Sequence, residues 1–211
     1  MELLEKLGQA IYDGDAEAAA ALTREALDGG RDPQQILDGG LIHGMDAVGK
    51  DFREGILFVP EVLIAARAMH AAMALLRPLL AEGASHSRGL MVLGTVKGDL
   101  HDIGKNLVGM MMEGAGFQVV DLGADVGPAA FVEAVKTHKP QLLGMSALLT
   151  TTMMEMKGTI AALEEAGVRQ GLKVLVGGAP VTQRFAEEIG ADGYASNASA
   201  AVERSRELLG A

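Results

Sequence analysis

The sequence predicts an α/β fold, a Rossmann-like (flavodoxin-like) parallel five-stranded sheet, preceded by a small four-helix bundle. Three observations carry this reading. After residue 89, short apolar runs alternate regularly with longer amphipathic ones, the pattern of a parallel sheet covered by helices on both faces. Before residue 83, apolar residues recur at the three- and four-residue spacing of helices. Between them, Glu82-Gly83-Ala84-Ser85-His86-Ser87-Arg88-Gly89 is small, polar and free of apolar periodicity. Residues 83–89 therefore read as a linker between a helical domain at 1–82 and a sheet domain at 90–211.

In the first half, Leu3, Leu4, Leu7 and Ile11 mark one helix, which Asp13-Gly14-Asp15 ends while offering a cap to the next. Asp32-Pro33 pairs a capping carboxylate with proline at the first helical position and opens a third segment, with Ile36, Leu37, Leu41, Met45, Val48 and Phe52 on one side. Gly40 and Gly44 lie inside that segment, each costing roughly 1 kcal/mol of helix propensity relative to Ala, so close packing is expected there. A fourth helix starts at Pro60-Glu61 and runs to about Leu80, completing the bundle. In the second half, strands are expected near 90–96, 118–122, 141–146, 173–177 and 193–196. Helices are expected near 103–114, 128–138, 152–166, 180–189 and 199–209.

Composition narrows the function classes. The 211 residues are 49% hydrophobic, enough for ordinary globular cores. A net charge of −10 and 3% aromatic content argue against nucleic acid, which needs a basic face and stacking side chains. The chain has no Cys, so disulfides and thiol catalysis are excluded. No basic-then-apolar signal opens the chain, and the apolar stretch Leu142–Met154 is too short and too polar for a membrane span. A cytoplasmic protein without membrane contact is expected.

The chemistry concentrates where the first strand gives way to its helix, in Gly98-Asp99-Leu100-His101-Asp102-Ile103-Gly104-Lys105-Asn106. Open α/β sheets bind ligands at such strand carboxyl ends. The run is not a phosphate loop: five residues separate Gly98 from Gly104, and Asn106 rather than Ser or Thr follows Lys105. Gly94, Gly98 and Gly104 are too widely spaced for a dinucleotide fingerprint. Asp99, two residues before His101, is placed to hydrogen-bond one ring nitrogen and leave the other free for a metal. The remaining histidines, His43, His70, His86 and His138, are scattered, which leaves a protein-only tetrahedral site unsupported. A metal needing one protein ligand would arrive inside a macrocycle. Asp102 suits the helix terminus, where a carboxylate meets unpaired N–H groups.

This run resembles the Asp-x-His-x-x-Gly signature of cobalamin-binding modules in the methionine synthase and corrinoid methyltransferase family. Two companions follow in order after later strands, Ser146-Ala147-Leu148 and Gly177-Gly178. The resemblance implies that His101 replaces the cofactor's own base as lower cobalt ligand, with Asp99 behind it. It also implies that Asp102, Ile103 and Gly104 lie at the cofactor, while Ser146, Leu148, Thr150, Gly177 and Gly178 line the slot for the nucleotide tail. By register, Thr152 matches the hydroxyl residue that extends the histidine–aspartate network, although the family often has Ser there. In the helical half, the segment from Gly49 to Glu61 is similar to the one that presents an aromatic residue over the corrin's upper face, and Phe58 is the matching position.

The implied function is a corrinoid protein carrying a methyl group on cobalt between a donor-specific methyltransferase and an acceptor methyltransferase. Its cofactor would be cobalamin or a related corrinoid, methylcobalamin in the loaded state, and its third partner a reductive activator of the corrinoid. Such a chain is a carrier subunit rather than a complete catalyst. Three alternatives remain at this level, one of them a generic flavodoxin-like binding module in which the three motifs coincide by chance. A cobalamin-dependent sensor would add an output domain, and the cobalamin-binding subunit of a mutase usually lacks the bundle.

Overall fold

The structure, a computed structural model, describes residues 3–82 and 88–210. Residues 83–87 of the expected linker lie outside the described residues. The chain forms two compact units, Met1–Ser87 with Glu113–Gly116, and Arg88–Met112 with Phe117–Ala211.

The first unit carries α1 (Leu3–Tyr12), α2 (Ala16–Asp28), α3 (Pro33–Ile36), α4 (His43–Arg53) and α5 (Val59–Glu82). Both expected caps form. Asp15 Oδ1 accepts the Ala18 N–H at 2.9 Å, and Asp32 Oδ1 accepts the Gln34 and Gln35 N–H groups at 2.9 and 3.2 Å. Each relieves amides that a helix start leaves unpaired. The third expected helix is not uniform, because Leu37–Ile42, between α3 and α4, winds as a π-helix. Gly39 and Gly40 favour the tighter α winding least of the ordinary residues. Close packing accompanies them: a Cβ on Gly44 would stand 2.6 Å from the Gly8 carbonyl oxygen, so Ala there would push α1 from α4. The Tyr12 hydroxyl, donating to Asp51 Oδ2 at 2.6 Å, ties the same two helices further on.

One feature of α5 escapes a reading based on unbroken apolar runs. Val59–Leu80 is long and apolar enough, by length and composition, to cross a membrane. Val62, Ala65, Ala68, Met69, Ala72 and Leu76 along it are buried in the fold, which marks a core helix.

The second unit alternates β1 (Leu90–Thr95), α6 (Ile103–Gly114), β2 (Gln118–Asp121), α7 (Pro128–His138), β3 (Leu142–Ser146), α8 (Met154–Glu165), β4 (Lys173–Gly177), α9 (Gln183–Glu188), β5 (Gly193–Ala195) and α10 (Ala198–Leu209). The five strands are parallel in the order β2-β1-β3-β4-β5. Val92, Leu143, Met145, Val174 and Val176 share one core with Phe131 of α7, Ile160 of α8 and Phe185 of α9. The alternate residues Met91, Leu93, Leu142 and Leu175 are buried as well, so the central strands β1, β3 and β4 are covered on both faces.

The boundaries shift for local reasons. Val96 pairs only in an isolated bridge with Val126, so β1 ends one residue early. The helix expected from 152 starts at Met154, because Leu149–Met153 closes a turn in which Thr152 and Met153 N–H donate to the Leu149 carbonyl at 3.2 and 3.0 Å. The helix expected from 180 starts at Gln183, after Thr182 Oγ1 accepts the Phe185 N–H at 3.2 Å.

This topology positions a site. The chain leaves β1 for β2 on one side and for β3 on the other, and such a switch point opens a crevice outside the strand carboxyl ends. Thr95 lies opposite Ser146, Ser146 opposite Gly177, and Gly177 opposite Ala195, so four strands finish level. Lys105, buried in the first turn of α6, pairs with Asp121 at the end of β2 and donates to Asn106 Oδ1 at 2.6 Å.

Candidate functional site

The loop after β1 carries Asp99 and His101, and the loop after β3 supplies their partners across the switch point. Asp99 is fully buried. Its Oδ1 accepts the His101 N–H at 3.0 Å and contacts His101 Nδ1 at 2.7 Å. Its Oδ2 accepts the Leu148 N–H at 2.7 Å, the Thr152 hydroxyl at 2.7 Å and the Leu149 N–H at 3.3 Å. Burial alone would raise the Asp99 pKa, but the hydrogen bonds from Thr152, Leu148 and His101 outweigh it and hold the carboxyl well below the usual range. Asp99 is therefore an anion that accepts on both oxygens. His101 Nδ1 must carry the proton it shares with Oδ1, and Nε2 keeps its lone pair for a ligand.

The imidazole is presented rather than enclosed, with 53% of its side chain exposed. Its backbone is held at both ends, since Thr95 Oγ1 donates to the His101 carbonyl at 3.1 Å. The same two loops and the first residues of α6 and α8 expose large apolar side chains: Leu100, Ile103, Leu148, Leu149 and Met154. A cluster of that kind on an otherwise well-buried α/β unit marks a ligand surface, and its breadth suits a flat macrocycle.

The remaining sequence-derived candidates distribute as follows. Asp102 is exposed and starts α6, its carbonyl accepting the Asn106 N–H at 2.7 Å. Gly104, in the first turn, has open space where a Cβ would point. Ser146 ends β3, half-buried, between Thr95 and Gly177. Thr150 is exposed in the turn, and the bond to Asp99 is made by Thr152. Gly177 and Gly178 end β4. Gly178 has φ +125°, and a Cβ on it would fall 1.8 Å from the Ala147 carbonyl oxygen, so only glycine lets these two strand ends approach. Phe58 belongs to the helical unit, where it is 63% exposed and its N–H donates to Glu61 Oε2 at 2.9 Å.

Sequence reasoning missed Leu149, Thr95 and Asp125, and the main-chain role of Leu148. The Leu148 and Leu149 contribution comes from backbone N–H groups, which carry no residue signature. Thr95 reads as an ordinary strand residue, and Asp125, whose Oδ1 accepts the Gly98 N–H at 2.8 Å, lies 26 residues beyond Asp99.

A doubly wound unit that offers one free imidazole nitrogen beside exposed apolar side chains at its switch point has the form of a cofactor carrier. Comparison with known proteins agrees. A family model described as a B12 binding domain matches residues 89–203, and a second B12 binding domain model matches residues 3–77. The chain is similar to the dimethylamine corrinoid protein of Methanosarcina barkeri, at 46% identity over 209 residues covering 99% of this chain and 98% of that one. It superposes on one chain of the methanol:cobalamin methyltransferase complex MtaBC from Methanosarcina barkeri with a TM-score of 0.88 and 31% identity, covering 99% of this chain and 80% of that one. A cobalamin-binding protein from Desulfitobacterium hafniense DCB-2 gives a TM-score of 0.81 and 34% identity over 99% and 98% of the two chains. The chain belongs to the B12-binding-domain family of corrinoid proteins, and a corrinoid is its cofactor. The free Nε2 and the exposed apolar side chains around it fit that group.

Proposed function

We propose that this protein is a methyl carrier, moving a methyl group between a donor-specific methyltransferase and an acceptor methyltransferase, with a reductive activator as its third partner. The observation that carries the reading is the Asp99–His101–Thr152 network, which leaves one imidazole nitrogen free at the switch-point crevice. The relatives and the neighbouring structure are named for methylamine and methanol systems. When bound, the corrinoid supplies a low-valent cobalt that accepts a methyl group from a donor and yields it to a nucleophile.

His101 Nε2 would hold the corrinoid's cobalt, and Asp99 Oδ1 fixes the ring's tautomer and aim. Asp99 Oδ1, bonded to His101 Nδ1 and to the His101 N–H, would keep the ring in place whether or not the metal is bound. Thr152, donating to Oδ2, keeps the carboxylate oriented throughout. Ile103 and Gly104 border the macrocycle, Asp102 starts the helix behind it, and Ser146, Leu148, Thr150, Gly177 and Gly178 line the tail slot. In a division into a helical domain at 1–82, a linker at 83–89 and a sheet domain at 90–211, Phe58 of the helical domain is the residue we assign to shielding the cofactor. The protein works in the cytoplasm, without nucleic acid or membrane.

The test is transfer of an isotope-labelled methyl group. The corrinoid-loaded chain, offered to donor methyltransferases for methylamines and methanol, is expected to accept label from one of them and pass it on to an acceptor enzyme. Failure to accept label from any donor enzyme, with corrinoid fully bound and reduced, contradicts the carrier role. Phe58→Ala in the full chain is expected to leave corrinoid content unchanged while making the reduced cofactor more sensitive to air and the methyl-loaded cofactor more sensitive to light. Unchanged sensitivities would reduce Phe58 to a surface residue of the bundle.

A further inference from the structure

Asp99 is gripped from two sides, and only one grip belongs to the network already described. Its side chain is held by the loop after β3. Its backbone is held by the loop after β2: Asp125 N–H donates to the Asp99 carbonyl at 3.0 Å, while Asp125 Oδ1 accepts the N–H of the preceding Gly98 at 2.8 Å. Lys97, at the start of the His101 loop, pairs with the same carboxylate at 3.0 Å. Asp125 adopts φ +58°, one of only two non-glycine residues with positive φ among the described residues. Asp tolerates that region better than most residues, and strain kept at such a point calls for a functional reason.

The loop that carries Asp125 is itself laid along β1. Leu122 N–H donates to the Leu93 carbonyl at 2.8 Å, Thr95 N–H to the Gly123 carbonyl at 2.9 Å, and Val126 N–H to the Thr95 carbonyl at 2.9 Å. The Lys105–Asp121 pair fixes the start of this loop to α6. The result is a rail beside the His101 loop, with Asp125 as its single side-chain hook.

We propose that Asp125 is a positioning residue that fixes the Asp99 backbone, so that Asp99 stays in place while the His101 ring engages and leaves the metal. The proposal rests on the assignment of His101 as the ligand. A swinging imidazole needs a stationary partner, and the bonds from Leu148 and Thr152 orient the carboxylate without holding the backbone around it. The Asp99 N–H donates to the Val96 carbonyl at 3.1 Å, and Asp125 holds the groups on either side, the Gly98 N–H and the Asp99 carbonyl. The Gly98 N–H bond first, and Lys97 second, hold its carboxyl below the ordinary value, which keeps it an acceptor.

Two substitutions separate positioning from loop structure. Asp125→Gly removes the carboxylate while suiting the positive φ, whereas Asp125→Asn keeps both the acceptor and the tolerance of that conformation. In the full chain without corrinoid, Asp125→Gly is expected to accelerate amide hydrogen exchange at Gly98 and His101 by roughly tenfold, the loss of one charge-assisted bond, and to leave Val174 in β4 unchanged. In the corrinoid-loaded chain it is expected to lower the fraction of Co(II) with nitrogen coupling in the paramagnetic resonance spectrum. Asp125→Asn restores both. Exchange at His101 that rises no more than at Val174, or a nitrogen-coupled fraction equal to that of the unsubstituted protein, overturns the proposal. The exchange experiment holds no metal, so it judges the clamp even if His101→Ala shows that the ligand is another group.

Discussion

Gly178→Ala is expected to destabilise the sheet unit severely and to abolish corrinoid retention. The φ of +125° costs an L-residue about 1–3 kcal/mol. The added Cβ would stand 1.8 Å from the Ala147 carbonyl oxygen, a backbone atom that cannot rotate aside. The ends of β3 and β4 must then part, and Ser146 and Leu148 move with them. A loss on the order of 3 kcal/mol or more places this among the more severe single substitutions, and it corresponds to a fall in Tm of roughly 6–12 °C for a chain of this size. Thermal unfolding and corrinoid content after reconstitution check it. A variant with native Tm and full corrinoid content would mean that the slot wall adjusts and that the glycine pair is only a turn.

Asp99→Ala is the second large effect. It strands the Leu148 N–H and the His101 N–H, which donate to one buried carboxylate, and leaves the Thr152 hydroxyl only the Leu149 carbonyl at 3.1 Å as acceptor. Each unpaired buried donor costs about 1–3 kcal/mol, and loss of the ligand's partner typically costs about 10–100-fold in metal affinity or activity. Asp99→Asn falls between, because both carboxylate oxygens act as acceptors and an amide presents only one. The same network sets an acid limit. The native carboxyl lies below its unfolded value of about 3.9, so its contribution is complete above that value and fades as pH falls toward the depressed native one. Unfolding from pH 7 down to pH 3 should show Asp99→Ala losing less stability with acid than the unsubstituted protein. Parallel pH profiles would place the acid sensitivity elsewhere.

How far the site could be read from sequence follows from how its parts are encoded. The Asp99–His101 pair is local, two residues apart after an apolar strand, and its hydrogen bond follows from that spacing alone. The level ends of β1, β3 and β4 follow from regular alternation, which fixes a parallel sheet but not its order, so motif order rather than periodicity brought Ser146 and Gly177 to the same edge. The donors from Leu148 and Leu149 are main-chain groups in a turn that the helix pattern swallowed, since Thr152 and Met153 continue the periodicity of α8. Asp125 was invisible because its role depends on a left-handed backbone and a partner far back in sequence. In the helical half, caps and glycine packing were legible at Asp15, Asp32 and Gly44, whereas the π winding at Leu37–Ile42 has no apolar period of its own.

The central claim is that His101 supplies the lower nitrogen ligand of the corrinoid cobalt. Paramagnetic resonance of the Co(II) form, recorded on protein labelled with nitrogen-15 at histidine alone, tests it most directly. The account predicts nitrogen coupling whose pattern changes with the isotope and which disappears in His101→Ala, leaving a five-coordinate signal without it. Coupling that ignores histidine labelling, or that persists unchanged in His101→Ala, would show that the cofactor keeps another base and would contradict the assignment.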